Sequence, residues 1–219
     1  MYLSRVEINP RLRACKQALN SPQRLHAIIA ASFPAPLGDE VMRESAQRHL
    51  WRLDKLDHSL YVLVASPGKP DFSHLIEQIG WPAAGQKWET AFYDTFLAHL
   101  KPGQQWQFRL CANPTCSKKD VESPRMRGKV IPCLKIDEQK KWLEIKMSKH
   151  GASLNGFELT SRGVSRFDRD GKTITLNVAT FEGILTVTDP DLLREALTNG
   201  IGRAKAYGCG LLTLAQVPR

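Results

Sequence analysis

Hydrophobic and polar residues alternate along several short stretches of the first half of the chain, and a period of two predicts β-strands. The predicted strands are Tyr2–Ile8, His49–Leu53, Ser59–Ala65 and Lys87–Tyr93. Other stretches repeat their apolar residues every three or four positions, which predicts helices. One helix begins at Ser21-Pro22 with Leu25, Ile28 and Ile29 on its apolar face, a second covers about Asp39–Arg48, and a third is capped by Asp71 and carries Phe72, Leu75, Ile76 and Ile79.

The second half repeats this order of elements. The predicted strands are Trp106–Cys111, Phe157–Arg166, one long strand from Thr173 to Val187 interrupted near Ala179–Glu182, and Leu211–Val217. The predicted helices are Asp137–Lys149 and a helix that Asp189-Pro190 opens and Asn199-Gly200 closes. Between the first strand and the first helix, Ala112–Pro132 is a basic loop or hairpin.

Both halves therefore predict the order β-α-β-β-α-β, which is the ferredoxin-like motif. The predicted fold class is α+β, with two tandem ferredoxin-like domains at residues 1–98 and 104–219 and a linker near Lys101-Pro102-Gly103. Two copies would set two antiparallel sheets side by side. We expect a basic cleft between them.

The composition and the charge of the chain indicate which class of partner it binds. The 219 residues are 42% hydrophobic, which is ordinary for a folded protein, and carry a net charge of +9. Residues 1–100 hold 11 Lys and Arg against 10 Asp and Glu, whereas residues 101–219 hold 20 against 12. A basic half of this kind indicates a polyanionic partner, with nucleic acid first and a membrane surface second. The alternative is a charged surface that serves only solubility.

The compartment is predicted from what the sequence lacks. No stretch approaches the roughly 18 apolar residues of a membrane helix, and Met1–Ile8 does not resemble a signal peptide. We therefore expect a cytoplasmic protein. Five cysteines without regular spacing fit reduced thiols in that compartment.

A glycine-rich segment, Gly200–Gly210, holds four glycines and the cations Arg203 and Lys205. Its glycines follow a helix, so the spacing fits neither a dinucleotide-binding loop nor a P-loop. Glycines let main-chain N–H groups approach a ligand, and we predict that Gly200, Gly202, Arg203 and Lys205 contact a phosphate of a nucleic-acid backbone. A helical turn at Arg203–Tyr207 would point its N-terminus at this phosphate. The alternative is a helix end followed by a tight turn.

Several motifs in order along the chain carry a family resemblance. They are Met1-Tyr-Leu-Ser, Leu25-His26 followed by Phe33-Pro34, Phe108-Arg-Leu-Cys-Ala-Asn-Pro114, Phe181-Glu-Gly-Ile-Leu-Thr-Val187 and Gly200-Ile-Gly-Arg-Ala-Lys-Ala-Tyr-Gly-Cys-Gly-Leu-Leu212. With these, the chain resembles the RAMP superfamily, and more closely the CasE (Cse3) family of CRISPR precursor-RNA endoribonucleases. The resemblance implies two ferredoxin-like domains, binding of the CRISPR repeat RNA hairpin, and metal-independent cleavage that leaves a 2′,3′-cyclic phosphate or 3′-phosphate. It also implies a place in a type I-E surveillance (Cascade) complex.

His26 is the candidate catalytic residue. Metal-free RNA cleavage needs proton transfer, for which histidine is suited, and a cation for the developing charge. His26 lies about one turn into its helix at the edge of the apolar stripe, and by resemblance Leu25-His26 matches the family's catalytic histidine. Some family members have a tyrosine three residues earlier, where this chain has Gln23. Arg24 lies beside the phosphate or is a solvated helix residue. The other histidines, 49, 58, 74, 99 and 150, are interpreted as structural or solvent-facing.

We predict no metal and no cofactor. Asp168 and Asp170 flank a cation in a stretch whose Asp170-Gly171 pair is typical of a hairpin turn rather than of a metal site. Cys111, Cys116 and Cys133 lack the paired short spacings of a zinc site. Cys209 lies between glycines without a nucleophile motif.

The RNA stem is assigned to two basic loops, because cations on a turn can contact phosphates along an A-form groove. The predicted contacts are Arg125, Arg127 and Lys129 in the first loop and Arg162, Arg166, Arg169 and Lys172 in the second. Phe167 or Tyr207 either stacks on a base or is packed. Two other functions stay open: a non-catalytic RNA-binding subunit of the same superfamily, and a double-ferredoxin interaction protein without an RNA ligand.

Overall fold

The structure, a computed structural model, describes residues 1–33, 49–83, 88–118 and 128–217. The chain forms two compact units. The first comprises Met1–His99, Phe167–Ile174 and Ala206–Gly208, and the second comprises Leu100–Arg166, Thr175–Lys205 and Cys209–Arg219. The helix predicted at Asp39–Arg48 lies outside the described residues.

A four-stranded antiparallel sheet forms the centre of the first unit. Its strands are β1 (Tyr2–Ile8), β2 (Leu50–Leu56), β3 (Ser59–Ser66) and β4 (Trp88–Phe92). Its helices are α1 (Arg13–Leu19), α2 (Pro22–Ala30), α3 (Ser73–Ile79) and α4 (Tyr93–Ala98). The sheet order is β2-β3-β1-β4, with Val6 opposite both Val62 and Trp88. This order and connectivity confirm the ferredoxin-like prediction for the first half.

Alternation along the strands and helical spacing along α2 and α3 create one core. Its members are at most 2% exposed and include Val6, Ile8, Val62, Val64, Leu25, Ile29, Leu75, Ile76 and Ile79. Burying each Leu or Ile contributes about 1.5–3 kcal/mol, so this core holds α2 on the sheet. The helix start predicted at Ser21 is confirmed, because Ser21 Oγ accepts from the Arg24 N–H. The cap predicted at Asp71 is wrong: α3 begins at Ser73 with Phe72 in the cap position, and Asp71, one residue earlier, accepts from the Ser73 N–H in a turn.

The second unit repeats this topology. Its strands are β5 (Gln105–Ala112), the hairpin β6 (Thr115–Lys118) and β7 (Lys129–Pro132), β8 (Ala152–Arg169), β9 (Lys172–Val187) and β10 (Leu212–Ala215). Its helices are α5 (Ile136–Lys149) and α6 (Pro190–Asn199). The main sheet has the order β10-β5-β9-β8, so the prediction of a second ferredoxin-like domain is confirmed. Among the helices of the described ranges, none is both long and apolar enough to cross a membrane.

The interruption predicted within β9 is wrong. The strand continues through residues 179–182, where Ala179 pairs with Ala112 and Phe181 pairs with Leu110. Ala179 and Phe181 are fully buried, whereas Glu182 points outward to form an ion pair with Arg109 at 3.0 Å. Residues 179–182 therefore belong to an unbroken alternation of buried and outward side chains.

The expectation of five reduced cysteines is also wrong, since Cys116 and Cys133 form a disulfide with their Cα atoms 6.3 Å apart. They come together because β6 and β7 pair, which the distance between them along the sequence does not reveal. Cys15, Cys111 and Cys209 are reduced thiols.

Candidate active site

His26 lies on α2, next to the buried Leu25, and its side chain is half-buried. Its Nδ1 atom is enclosed and has no hydrogen-bond partner among the described residues. Burial lowers the pKa of His26, and the positive charge of Arg169 lowers it further. The imidazole is therefore mainly neutral near pH 7, which is the form that accepts a proton.

Arg169 lies at the end of β8 and belongs to the same compact unit as His26. The next two residues, Asp170 and Gly171, have φ values of 51° and 72°, as expected for the predicted Asp-Gly hairpin turn. The Arg169 guanidinium is exposed and donates from Nη1 to the Tyr207 hydroxyl at 2.7 Å and from Nε to Asp170 Oδ2 at 3.3 Å. The turn thus holds a cation within electrostatic reach of His26.

Tyr207 ends a short 3₁₀ turn, Lys205–Tyr207, and also belongs to the first unit. Its ring packs on that of Phe167, with centroids 4.8 Å apart, and Phe167 is buried. The next residue, Gly208, has φ of 79°, and a Cβ there would lie 2.7 Å from the Trp51 ring. Gly208 therefore lets this segment lie directly against Trp51.

His49 immediately precedes β2 and stacks on Phe33, with ring centroids 3.7 Å apart and planes 15° from parallel. Burial, and secondarily the charge of His26, lower the pKa of His49 to about 4. Sequence reasoning did not place His49 near the site. No local motif signals it, because its position depends on a tertiary contact with Phe33, which is distant from it in the sequence.

His49 predicts a loss of stability in acid. An unfolded histidine has a pKa near 6.5, whereas folded His49 resists protonation until about pH 4, so the unfolded chain binds more protons between these values. Stability should therefore fall as the pH decreases through this range. After allowance for partial exposure, we expect a contribution on the order of 2 kcal/mol.

Urea unfolding at pH 7 and pH 4.5 measures this effect against His49→Phe, which keeps the aromatic contact with Phe33 but cannot be protonated. The variant should lose less stability in acid than the parent. Equal losses in the two proteins would mean that His49 is not shielded from protons in the folded state.

The structure places the other predicted RNA contacts as follows. Arg162 and Arg166 are exposed on β8 of the second unit, and their even spacing in a continuous strand puts them on one face. Arg162 Nη2 donates to the Leu134 carbonyl at 2.6 Å. Arg24 is exposed on α2 and donates to Gln17 Oε1 at 2.9 Å.

Lys129 and Lys172 are exposed at the starts of β7 and β9, and Arg125 and Arg127 lie outside the described residues.

The glycine segment has internal contacts that account for part of its composition. Gly200 ends α6, and the Ile201 N–H donates to the Gly210 carbonyl at 2.9 Å. A Cβ on Gly202, where φ is 85°, would lie 3.0 Å from the Trp142 ring. Lys205 Nζ donates to the Asn199 carbonyl at 2.6 Å, and Arg203 is exposed. The phosphate role of these residues stays a prediction.

The structure also bears on two other kinds of site, a cysteine nucleophile and a metal site. Cys209 is fully buried, and a hydrogen bond with Cys111, together with burial, raises its pKa well above the usual value, so it is no thiolate nucleophile. Within the ranges that the structure describes, no three His, Cys, Asp or Glu side chains come together as a metal-binding group.

The chain is similar to known proteins both in sequence and in structure. Residues 1–216 match the family described as "CRISPR associated protein". The chain is 28% identical over 229 residues, covering 98% of this chain and 100% of the relative, to the CRISPR-associated endoribonuclease Cse3 of Thermus thermophilus. It is 35% identical over 123 residues, 54% of this chain and 61% of the relative, to the Cascade subunit CasE of Escherichia coli. A solved Cse3 bound to a 19-nucleotide RNA superposes with a TM-score of 0.77 at 29% identity, covering 98% of this chain and 100% of that one.

Proposed function

Because this chain belongs to the CRISPR-associated protein family of Cse3 and CasE, we propose that it is an endoribonuclease that cuts CRISPR precursor RNA at the repeat hairpin. The name of its Thermus relative and the RNA-bound Cse3 structure support this activity. The observation that carries the proposal is the pairing of a half-buried, neutral His26 with the charged Arg169 in one compact unit.

The proposed chemistry is attack by the ribose 2′-hydroxyl on the adjacent phosphate, without a metal. His26 removes the 2′-hydroxyl proton, because a neutral imidazole with a pKa below its usual value can accept one at neutral pH. Arg169 stabilises the negative charge that builds on the phosphorus oxygens. The products carry a 2′,3′-cyclic phosphate, or a 3′-phosphate after its hydrolysis, and a free 5′-hydroxyl.

The proposed RNA-binding residues lie in the basic second half of the chain. Lys129, Arg162 and Arg166 are exposed in its unit, and Arg125 and Arg127 are added from sequence. Contacts of this kind fall on phosphates and read the A-form shape of a stem. Each neutralised phosphate releases counterions, so binding should weaken steeply as salt rises.

The CasE relative is named as a Cascade subunit, and we propose the same partnership here. In this proposal the protein keeps its cut hairpin and enters a type I-E surveillance complex with the guide RNA. A non-catalytic RNA-binding subunit is the second candidate. Gln23, one turn before His26, favours it because an amide cannot exchange protons with the reacting groups.

Incubating the protein with its own repeat hairpin in EDTA separates these functions. We expect one cut, with an upstream product that ends in a cyclic phosphate or 3′-phosphate and therefore resists periodate oxidation. Cleavage that requires Mg²⁺ or yields 3′-hydroxyl ends would contradict the proposed chemistry. A hairpin that is bound but intact would favour the non-catalytic subunit.

A further inference from the structure

The proposed reaction needs a group that gives a proton to the departing 5′-oxygen. His26 is poorly suited, because burial and Arg169 favour its neutral form. His49, with a pKa of about 4, is also unprotonated near pH 7. The amide protons of Gln23 are not acidic enough to be transferred. None of these three side chains is suited to act as the general acid.

We propose that Tyr207 is this general acid and donates its hydroxyl proton to the 5′-oxygen as the P–O5′ bond breaks. This inference rests on the proposed function and adds a second catalytic residue to it. Tyr207 lies in the same compact unit as His26, and its hydroxyl is 2.7 Å from Arg169 Nη1. The Arg169 guanidinium therefore binds the Tyr207 hydroxyl and also lies close enough to His26 for its charge to affect the imidazole.

The direction of the hydrogen bond leaves the acidic proton available. A guanidinium has donors only, so Arg169 donates and the Tyr207 oxygen accepts. The phenol keeps its own O–H for another acceptor, such as a leaving oxygen. When that proton departs, the phenolate remains bound to a positive charge, and a charge-assisted hydrogen bond stabilises it.

The surroundings of Tyr207 hold the ring in place. It packs against Phe167 at 4.8 Å with the planes 58° apart. Gly208, directly after it, lies against the Trp51 ring. Among the described residues, Arg169 and Asp170 are hydrogen-bonded in this arrangement, the charge of Arg169 acts on His26, and Lys205 begins the same 3₁₀ turn as Tyr207. A side chain fixed on two sides loses little entropy when it donates to a substrate.

The step balances without any further reactant. The 2′-oxygen gives its proton to His26 and forms a bond to phosphorus, while the P–O5′ bond breaks and O5′ takes the proton of Tyr207. The enzyme is left with a protonated His26 and a Tyr207 phenolate. Transfer of one proton from His26 to Tyr207 through solvent restores the starting state.

Tyr207→Phe tests the inference, because it keeps the ring on Phe167 and removes only the hydroxyl. In single-turnover cleavage we expect a rate about 100-fold lower, while affinity for a hairpin with a 2′-deoxy group at the cut site stays the same. Tyr61→Phe is the matched control, since Tyr61 meets Arg5 through its ring face rather than through a hydroxyl contact. Its rate should equal that of the parent.

A second substrate separates acid catalysis from a structural role. Sulfur in place of the 5′-oxygen leaves as a thiolate and needs no proton, so Tyr207→Phe should cut this RNA within about threefold of the parent rate. An equal loss on both substrates, or no loss on the ordinary hairpin, would overturn the inference. Failure of the proposed function looks different, because the parent protein itself would then leave both hairpins intact.

Discussion

Replacing His26 with alanine should lower the single-turnover rate of hairpin cleavage by about 10²–10⁴-fold, the usual effect of removing a general base. Binding should survive, because the imidazole contributes no charge near pH 7 and the proposed grip lies on other cations. Alanine is also a strong helix former, and the buried contacts of α2 come from Leu25 and Ile29, so the fold should persist.

The measurement pairs the cleavage rate with the Kd for a hairpin that carries a 2′-deoxy group at the cut site. His58→Ala is the control, since His58 is an exposed residue in the turn between β2 and β3. It should leave both quantities unchanged. A His26→Ala protein that cuts at the parent rate would remove this histidine from the mechanism, and one that no longer binds would make it an RNA contact.

Gly208→Ala should destabilise the protein by about 3 kcal/mol. A positive φ costs a residue with a Cβ about 1–2 kcal/mol, and forcing that Cβ against a packed ring adds about 1–3 kcal/mol. The new atom would lie 2.7 Å from Trp51 Cζ3, with the backbone φ at 79°. The backbone has to move away from Trp51 to make room for the new Cβ. Because Tyr207 directly precedes this glycine, that movement should displace Tyr207 and slow cleavage.

Gly103→Ala offers a matched comparison, since Gly103 has nearly the same φ, 82°, but within the described residues no atom beyond its chain neighbours lies within 4 Å of the position that a Cβ would take there. It should show the backbone cost alone, about 1–2 kcal/mol, and keep the cleavage rate. Urea denaturation of both variants measures the difference. Equal destabilisation would mean that Gly208 does not lie against Trp51.

Local signals in the sequence predicted much of the fold. The alternation of the strands, the Ser21-Pro22 helix start and the Asp170-Gly171 turn act within a few residues, and all three are confirmed. The duplicated topology follows because each half repeats the same order of such signals. His26 also rests on a short signal, its place at the edge of the α2 apolar stripe joined to the family motif.

The arrangement around His26 could not be predicted in this way. His49 lies near it through a tertiary contact, its stack on Phe33, and Arg169 meets Tyr207 only when the β8–β9 turn and the glycine segment come together. The sequence predicts a phosphate contact at the glycine segment but does not indicate that Gly202 and Gly208 each have a tryptophan ring where a Cβ would lie. Contacts between segments distant in sequence decide these features.

The most direct test of the central claim, attack by the ribose 2′-hydroxyl on the adjacent phosphate, removes a single oxygen atom from the RNA. The repeat hairpin is prepared with and without a 2′-deoxy group at the cut nucleotide, and binding and cleavage are followed in EDTA. We expect equal affinity for both, with cleavage of the all-ribose hairpin alone. Equal cleavage of the two would show that another nucleophile attacks the phosphate.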